Sequence, residues 1–577
     1  MASEGAINIT VLDTHVLALQ HGLDSFFLLI MGLIVFLMQC GFAFLEAGSV
    51  RSKNTTNILI KNLLDSCISC ICYWAIGWAL AYGPPGNFFA GTSQFFGIGL
   101  TNDDFANWFF QFVFAATAST IVSGALAERC EFVAYIVYCA SLTAVIYPII
   151  THWAWADSGW LKVGLSDIGA NKVTVRFADF AGSGVVHVHG GACAFVGAWL
   201  LGPRIGRFSK NNRPAKDLKG HSVPFAALGG FILMFGFFAF NGGSQLTITG
   251  DDDGMIVARA MMNTILSGGA AALTTLLLNK LLRTKKWSLL LTINAALAGM
   301  VAACAGCNQM HSWAAIVTGM GASISYMAVA RLVEAVKVDD PLDAVGVHFG
   351  GGLWGLFSAP FFFENTGIVF APNQAAFVQL GWNMVGAIAI TLWSAITIGI
   401  VFATLKILRL LRVSNEVELK GLDIFKHGEA AYPLAAYGHG WDDATSSQYE
   451  ERMDQAEWHR HQQMVRRQQL ATLEQLDLAA MPPAGYETAE QHMHRIKSQN
   501  KMNGASKVVV PLSVQTSHAP NFYANGSVGG HVTMRRPVSQ FYPHPYQFHP
   551  DPYAAGTVPF YYGPYLEATS KPRRAWH

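Results

Sequence analysis

The amino-acid sequence predicts an all-α polytopic membrane protein, a prediction that rests on its composition, its apolar segments and an internal repeat. Of the 577 residues, 52% are hydrophobic and only 13% are charged, whereas soluble domains carry about 25% charged residues. A soluble globular protein is therefore excluded. The 38 basic residues are balanced by 37 acidic residues, so no overall basic excess points to a nucleic acid partner.

Eleven apolar segments are long enough to be transmembrane helices. A bilayer core of ~30 Å requires about 20 apolar residues per helix. We predict helices one to eleven at residues 25–47, 57–83, 105–126, 132–155, 179–202, 222–246, 254–279, 287–304, 311–330, 341–363 and 379–405. Residues 1–24 precede the first helix.

The basic residues of the loops predict the orientation, because cytoplasmic loops carry an excess of Lys and Arg. Loops 203–221 and 280–286 are basic, whereas loops 84–104 and 247–253 contain Asp but neither Lys nor Arg. Loop 156–178 is also basic and conflicts with this pattern, but the other four loops agree on one orientation. The N-terminus, residues 1–24, is therefore expected outside the cell and the C-terminus inside.

The chain changes in composition after the last predicted helix. From residue 516 onward it is rich in Pro, Tyr, His and Gly, and such a segment cannot bury enough apolar surface to offset its ordering entropy. Residues 433–577 are predicted to be a largely disordered cytoplasmic tail. Its basic and aromatic residues could bind a cytoplasmic partner, although a tail without a partner is the simpler expectation.

An internal repeat relates the two halves of the apolar region. Asp179 is followed by His187 in a Val-His-x-x-Gly-Gly setting, and Asp340 is followed by His348 in the same setting and at the same spacing of eight residues. A second echo pairs residues 42–44 with residues 238–240. Together they relate helices 1–5 to helices 6–10, with helix 11 added. Repeats of five crossings must insert in opposite directions, and such inverted repeats are typical of transporters.

The two histidines are the candidate functional residues of this repeat. His187 and His348 lie on helix faces of small residues, where helices can approach closely. A pseudo-twofold axis would bring their imidazoles together, with Asp340 as the N-cap of its helix. Histidines with a purely structural hydrogen bond are one alternative. A metal site with His189 is another, but residues two apart on a helix diverge by about 200°. Neither a metal nor another cofactor is predicted.

Two neutral imidazoles in an apolar passage are suited to handling protons, because each can both donate and accept. Moving a bare cation into such a passage has an idealised cost of about 20 kcal/mol. An ammonium ion avoids that cost by losing a proton and passing as ammonia. Potassium and sodium cannot do so, and this difference would select against them.

Several long motifs resemble one family. The run from Cys40 to Asn54, CGFAFLEAGSVRSKN, resembles a motif of ammonium transporters (Amt/Mep/Rh superfamily, Amt branch). Further matches are Gly124–Arg129, Asp179–His187, Phe240–Ser244 and Asp340–His348, and the resemblance spans residues 25–432. It identifies a eukaryotic member with a long C-terminal tail.

The resemblance implies the roles of individual residues in a homotrimer with one pore per subunit. Trp155 and Ser244 match the outer site that recruits the cation, which Phe114 adjoins and Asp179 supports. Phe114 and Phe240 match the stacked gate of the pore, and His187 and His348 match its twin histidines. Without the resemblance, packing in the core or against lipid would be the simpler explanation of Phe114, Phe240 and Trp155. The chain departs from the family at Phe237, where many members carry Trp, and at Phe425, where plant members carry Thr.

The leading hypothesis is selective transport of ammonium/ammonia across the plasma membrane by a multi-pass protein. A neutral ammonia gas channel of the Rh type remains open, and so does an ammonium sensor that signals through the tail. An enzyme is not expected, because the sequence contains no nucleophile–base set or nucleotide fingerprint in a suitable setting.

Overall fold

The structure is a computed structural model that describes residues 9–208 and 218–437, together with residues 463, 491 and 494. The chain divides into two compact units, Met1–Ala471 and Thr472–His577. In the second unit only Gln491 and His494 are described, and both are helical. The tail predicted at 433–577 therefore lies almost entirely outside the described residues.

The described part of the first unit consists of helices joined by loops. Its α-helices are α1 Ile9–Phe36, α2 Met38–Ser49, α3 Thr55–Cys72, α4 Trp78–Tyr82, α5 Asp104–Leu126, α6 Phe132–Ser141, α7 Tyr147–Trp155, α8 Trp160–Val163, α9 His189–Leu201, α10 Val223–Gly242, α11 Asp253–Leu278, α12 Leu289–Ala303, α13 Ser312–Ala335, α14 Gly351–Phe362, α15 Gln374–Ile407 and α16 Asn415–Lys420. Short 3₁₀ turns lie at Ser52–Asn54, Phe95–Gly97, Gly243–Gln245 and Leu434–Tyr437.

Wider π-helical turns extend or precede several of these helices. They lie at Tyr73–Gly77, Leu142–Ile146, Ser183–Val188, Asn279–Arg283, Val345–Gly350 and Asp423–His427. Four of them, at Tyr73–Gly77, Leu142–Ile146, Ser183–Val188 and Val345–Gly350, lie within predicted membrane helices. Because π-turns are rare and concentrate at functional sites, these four turns are candidate functional positions.

Nine helices in the described part of the chain are long and apolar enough to cross a membrane. They coincide with predicted helices one to seven, nine and eleven. The counterpart of helix eight, α12, has 15 residues, about 22 Å at 1.5 Å per residue, and that of helix ten is divided between Val345–Gly350 and α14. The predicted helical membrane class is confirmed, while the count of 11, the inverted repeat and the orientation stay predictions.

Two parts of the chain differ from the expected layout. The first helix begins at Ile9 rather than near residue 25, and Asp24 accepts hydrogen bonds from the backbone N–H groups of Ile248 and Thr249 at 2.7 and 3.1 Å. In the loop that follows α7, Leu165–Ile168 and Val173–Val175 form a two-stranded antiparallel sheet, β1 and β2. An all-α prediction misses this hairpin because each strand is only three or four residues long.

Helices from opposite halves of the repeat cross in direct contact at glycines. A Cβ added to Gly229 on α10 would lie 2.1 Å from the backbone nitrogen of Leu45 on α2, and one added to Gly48 would lie 2.3 Å from that of Ala226. Only glycine permits such backbone contact. These are predicted helices one and six, the pair that the sequence echo relates.

Candidate functional site

Both candidate histidines lie on π-helical turns that a carboxylate caps. His187 is on Ser183–Val188 and His348 on Val345–Gly350. Asp179 accepts hydrogen bonds at Oδ2 from the backbone N–H groups of Gly184 and Val185, each at 2.9 Å, and Asp340 accepts one from Val345 at 2.7 Å. Segment five therefore begins its helix at Ser183 rather than at 179, since the preceding residues form the cap.

The two imidazoles lie against each other. The Nδ1 atoms of His187 and His348 are 3.1 Å apart, and their ring planes differ by 17°. At that distance one nitrogen donates a hydrogen and the other accepts it. Both side chains are buried, and Nε2 of His187 has no partner among the described residues.

Glycines permit this approach, as the small-residue faces in the sequence indicated. A Cβ on Gly191 would lie 2.4 Å from the backbone nitrogen of Phe349, and one on Gly352 would lie 2.4 Å from the carbonyl oxygen of Ser183. The two π-turns and the helices that follow them therefore cross with their backbones in contact, and this crossing places the Nδ1 edges of the two imidazoles against each other.

A pair of stacked phenyl rings covers the histidines on one side. The ring centroids of Phe114 on α5 and Phe240 on α10 are 4.0 Å apart, with 19° between the ring planes. The Phe240 ring is in turn 5.5 Å from that of His187. Both phenyl rings are buried, so the stack separates the imidazole of His187 from the space beyond it.

That space is a cavity of about 1250 Å³ whose lining includes Phe114, Trp155, Asp179 and Ser244. The Trp155 ring meets Phe114 edge-on at 6.1 Å, and its Nε1 donates a hydrogen bond to the carbonyl oxygen of Asp179 at 2.8 Å. The Ser244 hydroxyl donates to the carbonyl oxygen of Phe240 at 2.7 Å, which leaves its oxygen lone pairs for a ligand. The structure thus brings all seven predicted site residues into one continuous arrangement from cavity to histidines.

Three aromatic residues of this arrangement were not singled out as site residues. Phe110 lies 4.8 Å from Phe114, Phe237 lies 5.7 Å from His187, and Phe42 lies 6.5 Å from His348, measured between ring centroids. Phe237 is therefore a neighbour of the histidine and is absent from the cavity lining. The match of residues 42–44 to residues 238–240 points to the segment that contains Phe42, but it pairs Phe240 with the wrong phenylalanine. Phe44, the counterpart of Phe240 in that match, packs against Phe225 rather than against a histidine.

His189 takes no part in the histidine pair. Its Nδ1 lies 2.7 Å from the hydroxyl of Ser394 on α15, on the side of α9 that faces away from His348. Within the described ranges, three or more His, Cys, Asp or Glu side chains are nowhere grouped so that they could hold a metal ion.

Comparison with known proteins assigns the chain to a family. A sequence model described as the Ammonium Transporter Family matches residues 26–432, a range that contains every residue of the site above. The chain belongs to the ammonium transporter family.

Relatives and solved structures agree with this membership. Putative ammonium transporter 1 of Caenorhabditis elegans is 54% identical over 452 residues, covering 75% of this chain and 83% of that protein. Ammonium transporter 1 member 1 of Arabidopsis thaliana is 39% identical over 407 residues, covering 67% of this chain and 80% of that protein. A solved structure named Sensor Amt Protein is 33% identical with a TM-score of 0.64, covering 71% of this chain and 99% of that one.

Candida albicans Mep2 is a further structural relative, with a TM-score of 0.61 and 26% identity over 73% of this chain and 92% of that one. The curated relatives named here are transporters rather than enzymes. Together with the nine apolar helices, family membership makes this ammonium transporter family member an integral membrane protein.

Proposed function

We propose that this protein transports ammonium selectively across a membrane by passing it through the histidine pore as ammonia. One observation carries the proposal: two buried imidazoles with Nδ1 atoms 3.1 Å apart lie directly behind a stacked phenyl pair that closes a polar, aromatic cavity. The family match and the names of the relatives support ammonium as the substrate.

The first step is recruitment of the cation in the cavity. A cation over the Trp155 ring gains from the negative face of the π-system, and the Ser244 oxygen can accept a hydrogen bond from it. Asp179 supports the site in two ways. Its carbonyl oxygen holds the Trp155 ring by the Nε1 bond, and its carboxylate adds negative charge beneath the cavity.

The second step is loss of a proton, which provides the selectivity. An ammonium ion at the Phe114–Phe240 gate gives its proton to water and keeps the electron pair on nitrogen, so only neutral ammonia enters the apolar passage. A potassium ion of similar size has no proton to lose and would meet a cost of several kcal/mol or more for entering as an ion.

The third step is passage beside His187 and His348. Their shared hydrogen bond requires one imidazole to donate and the other to accept, so the pair offers ammonia both a donor and an acceptor. Their burial favours the neutral form, which does not repel or trap a passing molecule by charge.

The first test is His348→Ala in reconstituted vesicles, where we expect ammonium uptake to be abolished or altered in selectivity while the protein still reaches the membrane. Uptake and the current under voltage clamp are measured in ammonium with excess potassium. His189→Ala is the matched control, because it removes a buried imidazole that lies outside the pair. Wild-type flux and selectivity in His348→Ala would contradict the proton-handling role.

A second candidate is an ammonium sensor, favoured by the solved structure named Sensor Amt Protein and by the long tail. A sensor that does not transport should show no flux after reconstitution. A neutral ammonia channel of the Rh type would show flux without current, whereas current without block by potassium supports transport of ammonium. We also propose that the protein is a homotrimer in the plasma membrane with domain limits of 1–24, 25–432 and 433–577. The tail at 433–577 is the candidate binding segment for a cytoplasmic partner.

A further inference from the structure

The loop between α7 and the His187 turn carries basic residues to which the proposed function gives no role. This loop, 156–178, conflicts with the distribution of Lys and Arg in the other loops because it contains Lys162, Lys172 and Arg176. In the structure it contains α8 and the β1–β2 hairpin, and it ends directly before Asp179. The loop therefore connects the helix of Trp155 to the carboxylate that caps the His187 turn.

Two of its three basic residues line the cavity of about 1250 Å³ in which we propose that the cation is recruited. Lys162 on α8 and Arg176 directly after β2 belong to the lining, whereas Lys172, between the two strands, does not. Lys162 is half-buried and Arg176 is exposed. We call Lys162 and Arg176 the basic pair.

The fold holds the basic pair at the base of the hairpin. The backbone N–H of Phe177 donates a hydrogen bond to the carbonyl oxygen of Leu161 at 3.0 Å, and both of these side chains are buried. Lys162 and Arg176 flank this bond on its two sides. Nε2 of Gln379 on α15 also donates to the carbonyl oxygen of Arg176 at 2.7 Å. The backbone beneath both cations is therefore anchored to the membrane helices.

Positive charge exceeds negative charge in the lining of the cavity. Among the lining residues that the structure describes, Lys162 and Arg176 are cationic and Asp179 alone is anionic. The Asp179 carboxylate also accepts hydrogen bonds from the backbone N–H groups of Gly184 and Val185, whose partial positive charge offsets part of its field. A cavity that recruits a cation is thus positively charged overall.

Acidic residues near the cavity do not cancel this excess. Neither Lys162 nor Arg176 forms an ion pair within residues 9–208 and 218–437. Glu364 adjoins the lining, but it pairs with Arg259 at 2.7 Å. The two acidic residues of the hairpin loop are absent from the lining; they are Asp157 and Asp167.

A positive charge beside a bound ammonium ion acts on it in two opposite ways. Repulsion lowers the occupancy of the cavity by the cation. The same repulsion makes the proton easier to lose, because the loss removes the charge that is repelled. Ammonia at the Phe114–Phe240 gate is neutral and does not respond to the basic pair. The weaker binding of ammonium is therefore offset by its easier deprotonation.

A potassium ion experiences only the first of these effects. Its occupancy of the cavity falls by the same repulsion, and it has no proton whose loss could compensate. The two cations are similar in size and charge, so an aromatic ring and a hydroxyl alone separate them poorly. A positive charge that acts on binding and on proton loss together separates them by chemistry instead.

We propose that the basic pair raises the selectivity of transport, because it repels every cation from the cavity and compensates only ammonium through easier loss of its proton. This inference rests on the proposed function. In the step concerned, one N–H bond of ammonium breaks, its electron pair stays on nitrogen, and water takes the proton. Lys162 and Arg176 keep their own protons throughout and act through their charge.

The experiment measures ammonium uptake into reconstituted vesicles as a function of ammonium and potassium concentration. For Lys162→Gln we expect the KM for ammonium and the maximal rate each to fall about threefold, so that their ratio stays at the wild-type value. The potassium concentration that halves uptake should also fall about threefold. Lys162→Arg keeps the charge and should restore all three wild-type values.

Lys172→Gln is the matched control. It removes the same charge from the same hairpin, at a position outside the cavity lining, and we expect values close to those of the wild type. A second control raises the ionic strength with N-methylglucamine chloride. The Debye length falls from about 8 Å at 0.15 M to about 3 Å at 1 M, so the difference between Lys162→Gln and the wild type should shrink.

The outcomes separate the two proposals. A wild type without ammonium uptake overturns the proposed function and this inference with it. With uptake intact, an unchanged KM and unchanged potassium inhibition in Lys162→Gln overturn the inference alone. A lower maximal rate with an equal or higher KM shows a structural effect and also overturns it, as does an equal change in Lys172→Gln. If Lys162→Gln fails to fold, Arg176→Gln decides by the same criteria.

Discussion

At the scale of single residues, glycines determine how closely the two histidine-bearing helices approach. Gly191 and Gly352 occupy equivalent places in the repeat, and each touches backbone of the opposite half. A methyl group at either position would collide with a backbone atom, which cannot swing aside as a flexible side chain can. The spacing of the imidazoles therefore depends on residues that have no functional group.

We predict that Gly191→Ala lowers the free energy of unfolding by about 1–3 kcal/mol and also reduces ammonium flux, because the crossing must widen and the imidazoles separate. Unfolding in detergent and flux in vesicles measure the two effects. Gly269→Ala is the control, since a Cβ there meets nothing within 4 Å and alanine is the better helix former. Equal stability of the two variants would show that the crossing tolerates a methyl group.

At the scale of helices and loops, an ion-pair network joins the segments that follow α2, α5, α9 and α13. Glu128, directly after α5, pairs with Arg51 at 2.9 Å and with Arg204 at 3.0 Å, and Arg204 pairs with Asp339 at 2.7 Å. Burial raises the pKa of Glu128, but the two guanidinium groups outweigh it and lower the pKa to about 2. The carboxylate thus stays charged at any physiological pH, and the network joins loops from both halves of the repeat.

The segment after α15 docks onto the first turn of α3 through a carboxyl group of a different kind. Asp423 is buried, accepts a hydrogen bond from the backbone N–H of Asn57 at 2.9 Å and one from the Tyr437 hydroxyl at 3.2 Å. Burial raises its pKa from 3.8 to about 6, and the backbone N–H groups oppose this only in part. Protonation of Asp423 therefore favours docking.

We predict that this docking weakens as the pH rises. Because the folded pKa lies above the ordinary value, the contribution of Asp423 is complete below about pH 3.8 and is lost as the pH rises through about 6. Hydrogen exchange of residues 415–437, corrected for the intrinsic rate, should be faster at pH 7.5 than at pH 5. Asp423→Asn is neutral throughout and should remove this difference; a difference of wild-type size in the variant would contradict the assignment.

At the scale of the whole molecule, the helices differ in how much of their surface is covered by the rest of the same chain. In the most apolar 18-residue stretch of Asp104–Leu126, the span that carries Phe114, 94% of the residues are buried, against 28% in the corresponding stretch of Asp253–Leu282. Large apolar side chains on the latter, such as Leu273 and Leu277, are at least half exposed. Lipid or another copy of the chain must cover such faces.

We predict a closed trimer, with a mass in detergent of about three times the 62.6 kDa of one chain. Native mass spectrometry measures it, and chemical cross-linking in the intact membrane serves as a control against association caused by detergent. A monomer by both methods would contradict the prediction and would leave lipid to cover the exposed faces.

The sequence alone determined the membrane class, the positions of most helices and the identity of the paired histidines. These follow from local patterns, because bilayer thickness sets the length of an apolar segment and a repeated motif is visible without any structure. His187 and His348 could be paired in this way since each occupies the same place in its copy of the motif.

Tertiary structure decided what depends on residues distant in the chain. The π-turns under the histidines depend on carboxylate caps and on backbone contact between the two halves, and Phe42 rather than Phe44 meets His348 because of how α2 crosses α10. Asp423 is buried against Asn57, 366 residues earlier.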